Sequence, residues 1–161
     1  MEVRIRPLQE EDARTSVIWR NIPEVWKMTG SSPDRVITDQ DELNWIKKAI
    51  NEKTSRRCAI IADGVYVGNI YLTDIRNKTA ELHIFIGNKE YWGKGIAKEA
   101  TRQIIDYAIN TLRLDSVHLE VRKENVAARK VYEKIGFEEK GTNEEFIIML
   151  LKLTPNGGSK T

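Results

Sequence analysis

Glu81-Leu-His83-Ile-Phe85-Ile-Gly87-Asn-Lys89-Glu90-Tyr91-Trp92-Gly93-Lys94-Gly95-Ile96-Ala97 is the stretch that orders the rest of the chain. Its first six residues alternate: Glu81, His83 and Phe85 fall on one face, Leu82, Ile84 and Ile86 on the other, which is the period of a strand. Gly93-Lys94-Gly95 then opens a helical pattern over Gly95–Leu112, with Ala97, Ala100, Ile104 and Ala108 on one stripe. A strand that passes through a glycine loop into a helix start outlines an anion site. The first helical amides lack partners, the helix dipole adds positive potential, and glycine lets an anion approach the backbone closely. Lys89, Lys94 and Lys98 gather around this point. The pattern predicts a phosphate-bearing cofactor. A P-loop is absent. A dinucleotide fingerprint fails because Lys98 stands at the third glycine and Asn88–Trp92 separate strand from loop.

Upstream, Val3–Leu8 alternates as a strand, and Glu10–Trp19 and Val25–Thr29 read as short helices parted by Pro23. Thr38 caps a helix whose Leu43, Ile46, Ala49 and Ile50 make one stripe. Arg57–Ala62 and Val65–Thr73 flank Asp63-Gly64, a hairpin signal, and Ala80–Ile86 follows. Downstream come a strand at Ser116–Val121, a helix at Asn125–Ile135 closed by Gly136, and strands at Phe137–Glu139 and Glu145–Leu153. Three strands in series followed by crossovers predict an α/β fold. It has a mixed sheet of six to seven strands with helices on both faces, not a doubly wound parallel sheet. Residues 1–153 read as one domain and residues 154–161 as a disordered tail.

Composition narrows the function classes. The 161 residues hold 26 Lys+Arg against 24 Asp+Glu, a net charge of +2, which gives no ground for nucleic acid or a membrane surface as partner. One cysteine, Cys58, and two histidines, His83 and His118, exclude a disulfide framework and a multi-histidine metal site, so no metal is expected. No run approaches the ~18 apolar residues of a membrane span, and the first residues lack the apolar core of a leader. A cytoplasmic protein is expected, acting on a small molecule as a monomer or homodimer.

Two motifs carry a resemblance. Glu90-Tyr-Trp-Gly93-Lys-Gly95 resembles motif A of the GNAT N-acetyltransferase superfamily, Gln/Arg-x-x-Gly-x-Gly/Ala, with Glu90 departing at the first position. Asn125-Val-Ala-Ala128-Arg-Lys-Val-Tyr132-Glu-Lys-Ile-Gly136-Phe137 is similar to the family's Asn-x-x-Ala-x-x-x-Tyr-x-x-x-Gly-Phe. Trp19-Arg20-Asn21 and Ala80–Ile84 look like the RimJ/RimL-type branch, which includes amino-sugar-nucleotide and polyamine acetyltransferases. The resemblance implies a GNAT fold and direct transfer of acetyl from acetyl-CoA to a primary amine. It implies that Trp92, Gly93, Lys94, Gly95, Ile96 and Ala97 surround the pyrophosphate. The exposed backbone of Ile84, Phe85, Ile86 and Gly87, with Asn125, then meets the pantetheine arm.

Each candidate side chain has a plainer alternative. Tyr132 is the candidate acid for the leaving thiolate, or an aromatic packed under the closing strands. Asn125 is a pantetheine ligand, an N-cap, or both. Glu81 and His83 are the candidate bases, Glu81 otherwise being a rim salt bridge or an ammonium anchor. Trp19, Arg20, His118 and Glu120 are candidates for the acceptor side, although a solvated face suits His118 and Glu120 as well. Cys58 reads as a small core residue and not as an acyl carrier. Rival readings are a protein N-terminal acetyltransferase, an acyl-CoA-binding sensor without turnover, and a nicotinamide oxidoreductase.

Overall fold

The computed structural model describes residues 1–29 and 33–153, so the expected tail lies outside the described residues. In order along the chain are β1 (Val3–Pro7), α1 (Ala13–Arg20), α2 (Pro23–Thr29), α3 (Asp39–Ile50), β2 (Arg56–Ala62), β3 (Val65–Arg76) and β4 (Thr79–Ile86). Then follow α4 (Ile96–Asn110), β5 (Ser116–Arg122), α5 (Val126–Ile135), β6 (Glu138–Thr142) and β7 (Phe146–Lys152). The expected helix over Glu10–Trp19 divides into a 3₁₀ turn at Glu10–Asp12 and α1. Arg6 forks onto the Asp12 carboxylate at 2.8 and 2.9 Å there, which fixes the turn against β1.

The seven strands form one sheet in the order β1-β2-β3-β4-β5-β7-β6. Only β4 and β5 run parallel. The sheet is covered on both faces, and β2 records this in its alternation. Cys58, Ile60 and Ala62 pack with Ile96, Ala100 and Ile104 of α4. Ala59 and Ile61 pack with Ala13 of α1 and Ile46 of α3. Cys58 is buried, and burial pushes its thiol pKa up, as suits a core residue. The β2–β3 hairpin turns through Asp63 and Gly64, both left-handed at φ 47° and 80°. On the outer strand β1, Gln103 of α4 accepts from Ile5 N at 3.0 Å and donates to Val3 O at 2.7 Å, satisfying backbone groups of the sheet edge.

The buried stripe of α3 is displaced from the expected one. Ile50, at the last turn, is 36% exposed. Glu42, Ile46 and Ala49 are the buried positions, at the same helical spacing, and Glu42 is only 2% exposed. The stripe slides toward the N-terminus because Glu42 finds polar partners in the interior.

Candidate active site

The site begins with a failure of strand pairing. β4 and β5 are in register only from Thr79–Glu81 against Ser116–His118. Beyond this the two strands separate, and a cleft of ≈ 660 Å³ occupies the split. It is lined from both faces of the sheet: Trp19, Arg20 and Trp45 on the α1–α3 side, Ala97, Asn125 and Tyr132 on the α4–α5 side. The backbone of β4 is thereby opened. Gly87 N donates to Val67 O of β3 at 2.8 Å, so alternation turns the amides of Ile86 and Ile84 the other way, into the split. Ile86 O is already taken by Trp92 Nε1 at 2.7 Å, which ties the glycine loop to the end of β4. Among the described residues, Ile84 N–H and C=O and Ile86 N–H are left for an extended ligand.

Gly87 is a correction to the expected pantetheine set. Its amide belongs to the β3 side, and a Cβ at this position would overlap the Trp19 ring. It is glycine because Trp19 lies against its backbone. Trp19 is buried, beside Tyr66 at 4.8 Å and edge-on to Phe85 at 6.0 Å between ring centroids. Trp19 is therefore a core residue whose edge lines the cleft, and Trp26 and Trp45 line it too.

At the head of α4, Gly93 and Gly95 are left-handed at φ 73° and 79°, with open space where side chains would stand. The first amides of α4 lack intrahelical acceptors and face this open loop. These residues fit a pyrophosphate. Around them the details differ from expectation. Ile96 is buried in the main core, so only its amide is available. Lys94 Nζ leans 5.9 Å above the Tyr91 ring, and Lys89 is committed to Glu24 at 2.6 Å.

Asn125 caps α5, its Oδ1 accepting from Ala128 N at 3.2 Å. No partner of its Nδ2 is found among the described residues, so cap and cleft donor are compatible roles. Tyr132 faces the cleft and packs on Phe137, with ring centroids 5.7 Å apart. Burial pushes its hydroxyl up to about 12, which holds the proton on the oxygen. The group is a hydrogen-bond donor first. Complete transfer to a thiolate, whose thiol ionises near ~8.5, runs uphill.

Glu81 and His83 separate in role by position. His83 lines the cleft and Glu81 does not. Thr73 Oγ1 lies 2.9 Å from His83 Nε2, and Glu81 Oε1 lies 3.5 Å from the same nitrogen. The His83 side chain is 46% exposed, yet the part it loses from water against the cleft wall holds its pKa below the ordinary histidine value, against the opposing pull of Glu81. The Glu81 carboxylate and the Thr73 hydroxyl oxygen can both accept from Nε2–H, and in that tautomer Nδ1 is the free lone pair. Glu120 lines the cleft, whereas His118, beside Glu81 in the paired part of the sheet, does not.

One cleft-lining residue escapes the sequence patterns. Glu42 lines the cleft at its floor, where Ser16 Oγ donates to Oε2 at 2.6 Å and Arg20 Nη1 to Oε1 at 3.0 Å. The available signal was its place four residues before Ile46 on the apolar stripe.

Comparison with known proteins decides the family. The model of the acetyltransferase (GNAT) domain matches residues 2–138. The chain belongs to the GNAT acetyltransferase family. It is 33% identical over 141 residues to a spermidine N(1)-acetyltransferase of Escherichia coli (strain K12), covering 86% of this chain and 74% of that one. It is 29% identical over 147 residues to a putative ribosomal N-acetyltransferase of Bacillus subtilis (strain 168), covering 86% and 79%. Among solved structures, a Vibrio cholerae spermidine N-acetyltransferase in complex with CoA and spermine superposes with a TM-score of 0.79 at 25% identity, covering 93% and 95%. This GNAT protein is an N-acetyltransferase. No helix among its described residues is long and apolar enough to cross a membrane.

Proposed function

We propose that this enzyme moves an acetyl group from acetyl-CoA directly to a primary amine of a small molecule, a polyamine or an amino sugar. The observation that carries the reading is the cleft through the β4–β5 split, which joins Tyr132 and Asn125 on one face to His83 on the other. When bound, acetyl-CoA supplies an acetyl thioester, whose carbonyl carbon bonds to the amine nitrogen as the carbon–sulfur bond breaks. Ile84 N–H and Ile86 N–H offer donors to the carbonyl oxygen as it gains charge. His83 Nδ1 takes the proton that the amine sheds, and Glu81 and Thr73 position the ring through Nε2. Tyr132 Oη donates a hydrogen bond toward the sulfur. Gly93, Gly95 and the first amides of α4 hold the pyrophosphate.

Membership of the RimJ/RimL-type branch is part of this proposal, supported by the resemblance of Trp19-Arg20-Asn21 and Ala80–Ile84. A cytoplasmic location, a monomeric or homodimeric state and a single catalytic domain over residues 1–153 belong to the same proposal. The names of the relatives that act on spermidine support a small-molecule acceptor. Release of free CoA from acetyl-CoA, measured with spermidine and amino sugars offered in turn, tests it. Amine-dependent release is expected. Binding of acetyl-CoA without release for any amine would make the protein a sensor instead.

A further inference from the structure

The acceptor side of the cleft is rich in guanidinium groups. Arg20, Arg57 and Arg122 line it, against the carboxylates of Glu42 and Glu120. Glu42 is closed to a ligand, since both its oxygens accept hydrogen bonds from Ser16 and Arg20 and it is 2% exposed. Glu120 is the one cleft carboxylate left without a hydrogen bond among the described residues. Arg57 is held by the rings of Trp45 and Tyr71, 5.5 and 4.6 Å from their centroids, which fixes its direction. Its Nη2 donates to the rim residue Glu52 at 3.1 Å, and Nη1 has no acceptor among the described residues. Arg122 lies over the Phe146 ring at 5.1 Å, and Glu124, 3.8 Å away, is too far for a hydrogen bond.

Position adds to the count. Arg57, Tyr71 and His83 are cross-strand partners in one row of the sheet. Arg57 on β2 and Arg122 on β5 therefore stand on opposite sides of His83. A polyamine would set its non-reacting ammonium groups against these guanidiniums, with Glu120 as the one cleft-lining carboxylate free of a hydrogen bond among the described residues to answer them. An amine with an acidic group elsewhere on its scaffold reverses the situation. Its oxyanion meets Arg57 or Arg122 in the fork geometry that guanidinium favours, and its ammonium sits between Glu120 and His83.

We infer that the acceptor is a primary amine whose own scaffold carries an acidic group, a phosphate or a carboxylate, and that it is not a polycation. The inference rests on the acetyl-transfer reading and divides its two substrate classes. In this the chain departs from the relatives named for spermidine.

The test is CoA release at saturating acetyl-CoA with four amines: spermidine, glucosamine, glucosamine 6-phosphate and 2-amino-2-deoxyglucuronic acid. Expected is a kcat/KM for one or both acidic sugars about tenfold or more above glucosamine and spermidine, the gain of one charge-assisted hydrogen bond. Whichever acid leads names the source of the oxyanion. Arg122→Gln should bring the acidic sugar down to the level of glucosamine, mainly through KM. Arg122→Glu should raise turnover of spermidine. The Arg122 side chain is 32% exposed and its guanidinium makes no hydrogen bond among the described residues, so both variants should keep the fold. Preference for spermidine, or equal turnover of acidic and neutral sugars, would overturn the inference and leave acetyl transfer standing. Turnover of none of the four would overturn the transfer reading, and the inference with it.

Discussion

Thr73 Oγ1 and His83 Nε2 meet at 2.9 Å across the β3–β4 pair, and Glu81 Oε1 stands 3.5 Å from the same ring nitrogen. A neutral imidazole that donates from Nε2–H is thereby oriented, with Nδ1 as its free base. Burial lowers the His83 pKa and Glu81 raises it, burial being the larger effect. His83 is then deprotonated at neutral pH, and activity is lost as pH falls through its lowered value. The acid limb of kcat/KM should therefore lie below the ordinary histidine range. Glu81→Gln removes the raising charge and should move the limb further down. His83→Gln should cost about 10²-fold or more and abolish the limb. A limb unchanged in His83→Gln would assign the base elsewhere.

Tyr132→Phe should lower kcat about 10- to 100-fold, the loss of a donor to developing charge. Acetyl-CoA affinity should stay within about twofold, since one buried hydroxyl is removed and the ring packing on Phe137 is kept. With the hydroxyl held up at about 12, no basic limb from Tyr132 is expected below that range. Binding measured by calorimetry beside steady-state rates checks the division. A large loss of affinity would make the residue structural.

Two glycine substitutions should fail differently. Gly87→Ala drives a methyl group into the Trp19 ring and should cost about 1–3 kcal/mol of stability as overpacking. Gly95→Ala meets no atom but holds a left-handed φ of 79°, so its stability cost is about 1 kcal/mol. Its larger effect should be on acetyl-CoA affinity, because the methyl occupies the open loop. Urea unfolding together with ligand titration of both variants separates the two.

Glu42→Leu should destabilise by about 1–3 kcal/mol in urea unfolding. The change strands Ser16 and the inner face of Arg20, and the partial exposure of Arg20 keeps the cost below that of a fully buried pair. Stability equal to the parent would show that the Ser16–Glu42–Arg20 contacts contribute nothing to the floor of the cleft.

The succession of strands along the chain and the glycine loop were legible because local pattern carries them. Alternation in Glu81–Ile86 marks β4, and Asp63-Gly64 marks the hairpin. Motif spacing brought Asn125 and Tyr132 to the cleft by resemblance. What the pattern concealed depends on contacts between distant segments. Gly87 reads as a ligand residue until Trp19, far upstream, is seen against its backbone. Lys89 reads as a phosphate cation until Glu24 claims it. Glu42 reads as an ordinary first-turn acid, because burial of a carboxylate requires Ser16 and Arg20 from another helix. The choice between Glu81 and His83 needed the outline of the cleft, which His83 lines and Glu81 does not, and alternation alone places both on one face.

The central claim is direct passage of an acetyl group through the β4–β5 split from acetyl-CoA to an amine. It is tested most directly by following free CoA and acetylated amine together in one reaction, with mass analysis of the protein at each time. The account predicts one acetylated amine for each CoA released and no acetyl on the protein, Cys58 being buried. CoA release without acetylated amine, or an acetylated protein that forms before the product, would contradict it.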